Sequence, residues 1–274
     1  MAGSLILGHG VSFHGTRFGS PTTVVGDVVL YTGVVGWQEV LTDPAYAGTI
    51  VVFTYPHVGN YGVYDEDVES ATVTVRGIVV RDLARFHSNF RAKGGFRSWV
   101  EEMGIAGLDG VDTRAVMVHA REHGIGVGAI ADSEEAGLQA MGEVGSPFEQ
   151  NLVAQIQGIC RVPETGERGE LGTQNPEPGS ALSTRHPAPR LAVLDLGGKY
   201  SLYRQLVELG CCLRFFPWDS SAEMVMASDP DGLLLPPGPG DPNRLGPVIQ
   251  QVTRVLGKVP ILGIGLGVEI LALA

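Results

Sequence analysis

The chain has 274 residues, 44% of them hydrophobic, which is enough for a sizeable core and suggests two domains. Its formal net charge of −11 argues against a nucleic-acid binder, which needs a basic face. No apolar run reaches the ~18 residues of a membrane span. The N-terminus lacks the pattern of a signal peptide, and three cysteines (Cys160, Cys211 and Cys212) make no disulfide framework, so a cytoplasmic protein is expected.

Residues 1–155 read as one β-rich mixed domain. The segments "TTVVGDVVLYTG", "GTIVVFTYP" and "SATVTVRGIVVRD" are dense in Val, Thr, Ile and aromatics and are bounded by Gly, Pro and Asp, the composition of strands. "FRSWVEEMG" is a candidate helix. "DTRAVMVHAREHG" is a stronger one, with Asp112 or Thr113 to cap it and Gly124 to stop it. Residues 156–190 are proline-rich from Pro163 onward, poor in apolar residues and without periodicity, so they read as a linker.

From residue 191 apolar strands alternate with helices. "LAVLDLG", "CCLRFFPW", "DGLLLPP" and "VPILGIG" are the strands. "KYSLYRQLVELG", "SAEMVMAS" and "NRLGPVIQQVTRVLG" are the helices between them. That alternation predicts a parallel α/β sheet over 191–274, with binding loops at the carboxyl ends of its strands.

The last strand runs into Gly263-Ile264-Gly265-Leu266-Gly267, the strand–turn–helix layout of a nucleophile elbow. Its apex is Gly265, which has no side chain to react. "PPGPGDP" (Pro236–Pro242) follows a neighbouring strand and offers bare backbone N–H groups to an anion or oxyanion. "HAREH" (His119–His123) matches a short zinc-peptidase pattern, but no third ligand is in view. His123 beside Gly124 also suits a helix C-terminus electrostatically, so no metal is expected. Cys211 and Cys212 open an apolar strand and read as buried, inert thiols.

These motifs resemble the small (glutaminase) subunit of carbamoyl-phosphate synthase. Val34–Val63 is similar to that family's N-terminal signature. "GVDTRA" and "REHG" follow in the expected order. "DLGGKYSLYRQL", "PPGPGDP" and "GIGLG" resemble the first half of a class I glutamine amidotransferase domain. The resemblance implies glutamine hydrolysis supplying ammonia to a large subunit, which binds ATP and Mg²⁺ and makes carbamoyl phosphate for arginine and pyrimidine synthesis. This chain itself would need no cofactor.

Carried over residue by residue, the family's catalytic Cys falls on Gly265, its neighbouring His on Val268 and its glutamine-contacting Gln on Glu269. A glutamine-binding Ser falls on Ala45. The backbone-contributing positions Gly238, Gly240 and Leu266 match, with Gly238 and Leu266 as oxyanion-hole candidates. The family's catalytic His and Glu lie in a later segment that this sequence does not reach. The expectation is therefore a truncated, degenerate amidotransferase domain that does not hydrolyse glutamine. The alternatives are a docking subunit for an ammonia-using large chain, or a gene fragment. With later strands absent, the elbow strand would present an unpaired apolar edge, and this second domain would be marginal alone.

Overall fold

A computed structural model describes residues 1–159 and 188–274; the expected linker falls mostly outside the described residues. The chain divides into two compact units. The first is Met1–Leu152 with Pro239–Arg244, and the second is Val153–Gly238 with Leu245–Ala274.

The first unit contains β1 (Ala2–Leu7), β2 (Ser12–Gly19), β3 (Val24–Tyr31), α1 (Trp37–Thr42), β4 (Thr49–Phe53), β5 (His57–Val58), β6 (Gly77–Val79), β7 (Asp82–Leu83), α2 (Phe96–Glu102), β8 (Ala106–Asp109), α3 (Thr113–His123), β9 (Val127–Ala131) and α4 (Glu134–Val144). Seven of these strands close into a barrel in the order β1-β2-β8-β6-β4-β3-β9. The pairs β3·β4, β4·β6 and β6·β8 are parallel, and the rest are antiparallel.

Strand β4 is buried along its whole length. Its two-residue alternation sends Ile50 and Val52 into one apolar cluster with Leu5, Val28 and Leu108, and Val51 and Phe53 into another with Trp37, Ile78 and Phe96. Each fully buried side chain of this kind contributes roughly 1.5–3 kcal/mol. Of "SATVTVRGIVVRD" only Gly77–Val79 and Asp82, the first residue of β7, are strand, because the barrel uses three residues there and the segment before them is loop. The helix expected at 113–123 forms. Asp112 Oδ1 accepts from Ala115 N at 3.0 Å, and Gly124 ends it at φ 79°.

The second unit contains α5 (Leu152–Gln155, beginning at the unit boundary), β10 (Arg190–Asp195), α6 (Tyr200–Glu208), β11 (Cys212–Pro217), α7 (Ala222–Met226), β12 (Gly232–Leu235), α8 (Gly246–Val255), β13 (Ile261–Gly263) and α9 (Leu266–Leu273). Its four strands form a parallel sheet in the order β11-β10-β12-β13. Alternation along β12 puts Leu233 and Leu235 into a cluster with Val248, Val252, Leu266 and Ile270, and Leu234 into one with Tyr203 and Leu213. Helices thus cover both faces, as a parallel sheet requires. Among the described residues β13 is hydrogen-bonded on one side only, to β12, and Leu262 is 54% exposed. No helix among the described residues is long and apolar enough to cross a membrane.

A buried carboxylate ties α4's following turn to the barrel. Asp27 on β3 accepts from Ser146 Oγ at 2.9 Å and from Phe148 N at 2.9 Å. Replacing it leaves two half-buried donors without that acceptor, and hydrogen bonds to a charged group contribute about 1.5–3 kcal/mol each. Asp27→Ala is expected to lower unfolding free energy by roughly 2–4 kcal/mol. Ser146→Ala, which keeps the Phe148 bond, should cost only about 1 kcal/mol. Urea denaturation followed by circular dichroism reads both, and equal midpoints for Asp27→Ala and the unaltered chain would refute this anchoring.

Candidate functional site

The elbow sits where β13 meets α9, at the carboxyl end of the parallel strands. That is where loops of such sheets bind ligands. Its flanking glycines are set by close backbone approach. A Cβ on Gly263 would lie 2.6 Å from Gly267 O, and one on Gly267 only 2.0 Å from Leu235 O. Neither position can take a side chain, so strand and helix pack directly on β12.

The apex differs. Gly265 has φ 57°, in the left-handed region, as expected for such a turn. A Cβ there would meet Pro237 Cβ at 3.4 Å and Pro237 Cα at 3.5 Å, which are ordinary contacts. Space for a side chain exists, and only the backbone conformation disfavours one. Pro237 as the apex's neighbour was not legible in sequence, because it rests on β12 and β13 being adjacent.

Leu266 is the first residue of α9, where a helix leaves its backbone N–H without an intrahelical carbonyl. Its side chain is buried, and its Cδ2 would lie 2.9 Å from a Cβ on Gly238. The same Cβ would be 2.0 Å from Leu196 O. Gly238, Gly265 and Leu266 are therefore brought together in the second unit. Glu269 lies in the first turn of α9 with an exposed side chain, and its N–H reaches Gly265 O at 3.4 Å. A carboxylate in a helix's first turn is favoured by the macrodipole, which gives Glu269 a structural role in this chain.

Ala45 and Gly240 belong to the first unit. Ala45 is half-buried in a short 3₁₀ turn, Pro44–Tyr46, whose cap Asp43 accepts the Ala45 N–H at 2.9 Å. The surrounding signature is a polar knot. Thr42 Oγ1 donates to Gln38 O at 2.8 Å and accepts from Glu69 N at 2.9 Å, while Gln38 Oε1 accepts from Tyr64 N at 2.8 Å. The Tyr61 ring stacks on Trp37 at 4.3 Å, and its oxygen accepts from Gly36 N and Trp37 N at 2.8 and 3.0 Å. Burial pushes the Tyr61 phenol up to about 12, against the lowering effect of those two N–H groups. Gly240 has φ 87°, and a Cβ there would meet Leu152 at 3.7 Å.

No described thiol lies at the elbow. Cys212 pairs with Arg190 at the beginning of β10, so Cys211 and Cys212 lie at the amino-terminal edge of the sheet, opposite the elbow. Burial, and then the neighbouring Cys212, raise the Cys211 thiol above its ordinary value, away from the reactive thiolate. Both are half-buried rather than fully buried. Cys160 lies outside the described residues. Among the described residues no three His, Cys, Asp or Glu side chains already surround a point where a metal ion could sit.

Residues 5–130 match the family model of the carbamoyl-phosphate synthase small chain, CPSase domain, and residues 192–274 match that of glutamine amidotransferase class-I. The carbamoyl phosphate synthase small chain of Clostridium perfringens is 36% identical over 273 residues, covering 100% of this chain and 72% of that protein. The small chain of Akkermansia muciniphila is 38% identical over 274 residues, covering 99% of this chain and 71% of its own length. The pyrimidine-specific small chain of Bacillus subtilis is 36% identical over 273 residues, covering 98% and 69%. At this identity and coverage, the chain belongs to the carbamoyl phosphate synthase small-chain family.

Proposed function

We propose that this chain is a small-chain homologue that does not hydrolyse glutamine and serves a carbamoyl phosphate synthase large chain as a non-catalytic docking subunit. The large chain then draws on free ammonia. The observation that carries the reading is Gly265 at the apex of an otherwise well-formed elbow. Amide cleavage by this family's chemistry runs through a thioester, which needs a thiolate at that position. The backbone groups at Gly238 and Leu266 are candidates to polarise a carbonyl oxygen. Hole and binding alone sustain only about 10³–10⁴-fold acceleration over water once the nucleophile is removed.

Substrate binding is weakened by the same changes. Glu269 offers a carboxylate where the family offers an amide, and it repels the substrate's own carboxylate. Ala45 offers no hydroxyl. In this reading Gly238, Leu266 and Glu269 are the second unit's family-matched glutamine positions, and Ala45 and Gly240 are the first unit's. Pyrimidine and arginine synthesis are the processes such a complex would feed, with ATP and Mg²⁺ held by the large chain.

Mixed with a carbamoyl phosphate synthase large chain, the protein should form a complex that makes carbamoyl phosphate from ammonium but not from glutamine. The isolated chain, incubated with glutamine, should release ammonia no faster than buffer does. Ammonia at rates typical of working amidotransferases, or glutamine-driven synthesis by the complex, would overturn the reading.

A second expectation concerns the apex itself. Gly265→Cys should fold, because its Cβ meets only ordinary contacts, at a cost of about 1–3 kcal/mol for a non-glycine residue at positive φ. Its thiol should be alkylated by iodoacetamide well ahead of those of Cys211 and Cys212, read by peptide mass spectrometry. An apex thiol labelled no faster than those two would mean that the elbow does not present this position to solvent.

A further inference from the structure

The pattern His119…His123 lacked a third ligand in sequence. The barrel brings another histidine against the first of them. His9 sits between Gly8 and Gly10 in the turn that joins β1 to β2, held by Gly10 N donating to Leu7 O and Leu7 N donating to Val11 O, both at 2.8 Å. That turn presents an exposed imidazole to α3. His9 Nε2 meets His119 Nε2 directly, with ring centroids 4.7 Å apart and planes 19° apart. One helical turn on, His123 lies 4.8 Å from His119 by ring centroids. The Phe13 ring stands edge-on to His119 at 6.1 Å, and Glu122 Oε2 is 3.8 Å from His123 Nε2.

Two imidazole nitrogens this close share one proton, since two protonated rings would repel, and a metal ion that replaces that proton moves the rings apart to fit its two bonds. A neutral imidazole keeps a ring-nitrogen lone pair for coordination. Positions 119 and 123 share one helix face, and imidazole suits Zn²⁺, Ni²⁺ and Cu²⁺.

We propose that His9 and His119, with His123 beside them, form a surface site for a borderline divalent transition-metal ion. As the side chains stand, no three of them surround a common point. The ion is therefore taken by the His9–His119 pair, with water or a reoriented His123 completing its shell. Bound there, it clamps the β1–β2 turn to α3, a structural rather than a catalytic role. The inference lies wholly in the first unit and is independent of the elbow.

The test is titration of the full chain, purified without a histidine tag and stripped with chelator, with NiCl₂ and separately with ZnCl₂ in a calorimeter. One ion per chain is expected. His9→Ala and His119→Ala should each weaken binding by roughly tenfold or more, a scale typical of losing a group that supports a metal site, and His123→Ala by less. Because a ligand that binds only the folded state stabilises it, Zn²⁺ should raise the unfolding temperature of the unaltered chain. It should not do so for the His9→Ala/His119→Ala double variant, whose circular dichroism should match the parent's without metal. No binding by the unaltered chain, or equal binding by the double variant, overturns the proposal.

Discussion

Backbone-on-backbone contact between the end of β12 and the start of α9 is the constraint on which the candidate site depends. With Leu235 O where a Cβ on Gly267 would have to be, and Gly267 O close to where one on Gly263 would be, the turn exists only because those two positions carry hydrogen. Removing both side chains lets β13 turn sharply onto the neighbouring strand and throws residue 265 outward. The same contact seats Leu266 and Ile270 in the apolar cluster under the sheet, so tightness of the turn and burial of α9 are one packing event. In energetic terms the elbow is held by its flanks, and the apex is left free to vary.

That division explains how shape and chemistry come apart in this chain. The apex can lose its side chain without disturbing the turn, and glycine relieves the strain that any other residue would carry at φ 57°. At that position this chain carries no side chain to react. The remaining described thiols open β11 at the other edge of the sheet, and a parallel sheet's two edges do not exchange residues without unpairing strands. In the first unit the family signature is equally intact as structure. Its Trp37–Tyr61 stack and the hydrogen bonds of Gln38 and Thr42 hold the turn that carries Ala45, whatever side chain stands at 45.

The second half of the chain was the more legible part. Each apolar run from "LAVLDLG" to "VPILGIG" is a strand, and each amphipathic run between them a helix, because βαβ units keep partners near in sequence and cover both sheet faces. The first half was harder. β1 and β2, "AGSLIL" and "SFHGTRFG", carry Gly, Ser, His and Arg and have little intrinsic strand preference; antiparallel pairing with each other, and with β9 and β8, makes them strands. Helix α4 is not legible in the sequence although Ser133 caps it, its side chain accepting from Ala136 N at 3.2 Å, because its two glycines weaken the pattern.

By itself the sequence determined the absence of a sulfur at 265, the presence of glycines at 263 and 267, and the order of strands and helices after 190, since these are properties of residue identity and short-range spacing. Tertiary structure alone decided that seven strands close a barrel, that His9 faces His119 across 110 positions, and that Cys211 and Cys212 stand at the opposite edge from the elbow. Those facts follow from which strands hydrogen-bond to which, and pairing between distant segments is chosen by the packing of the whole unit rather than by any local run of residues.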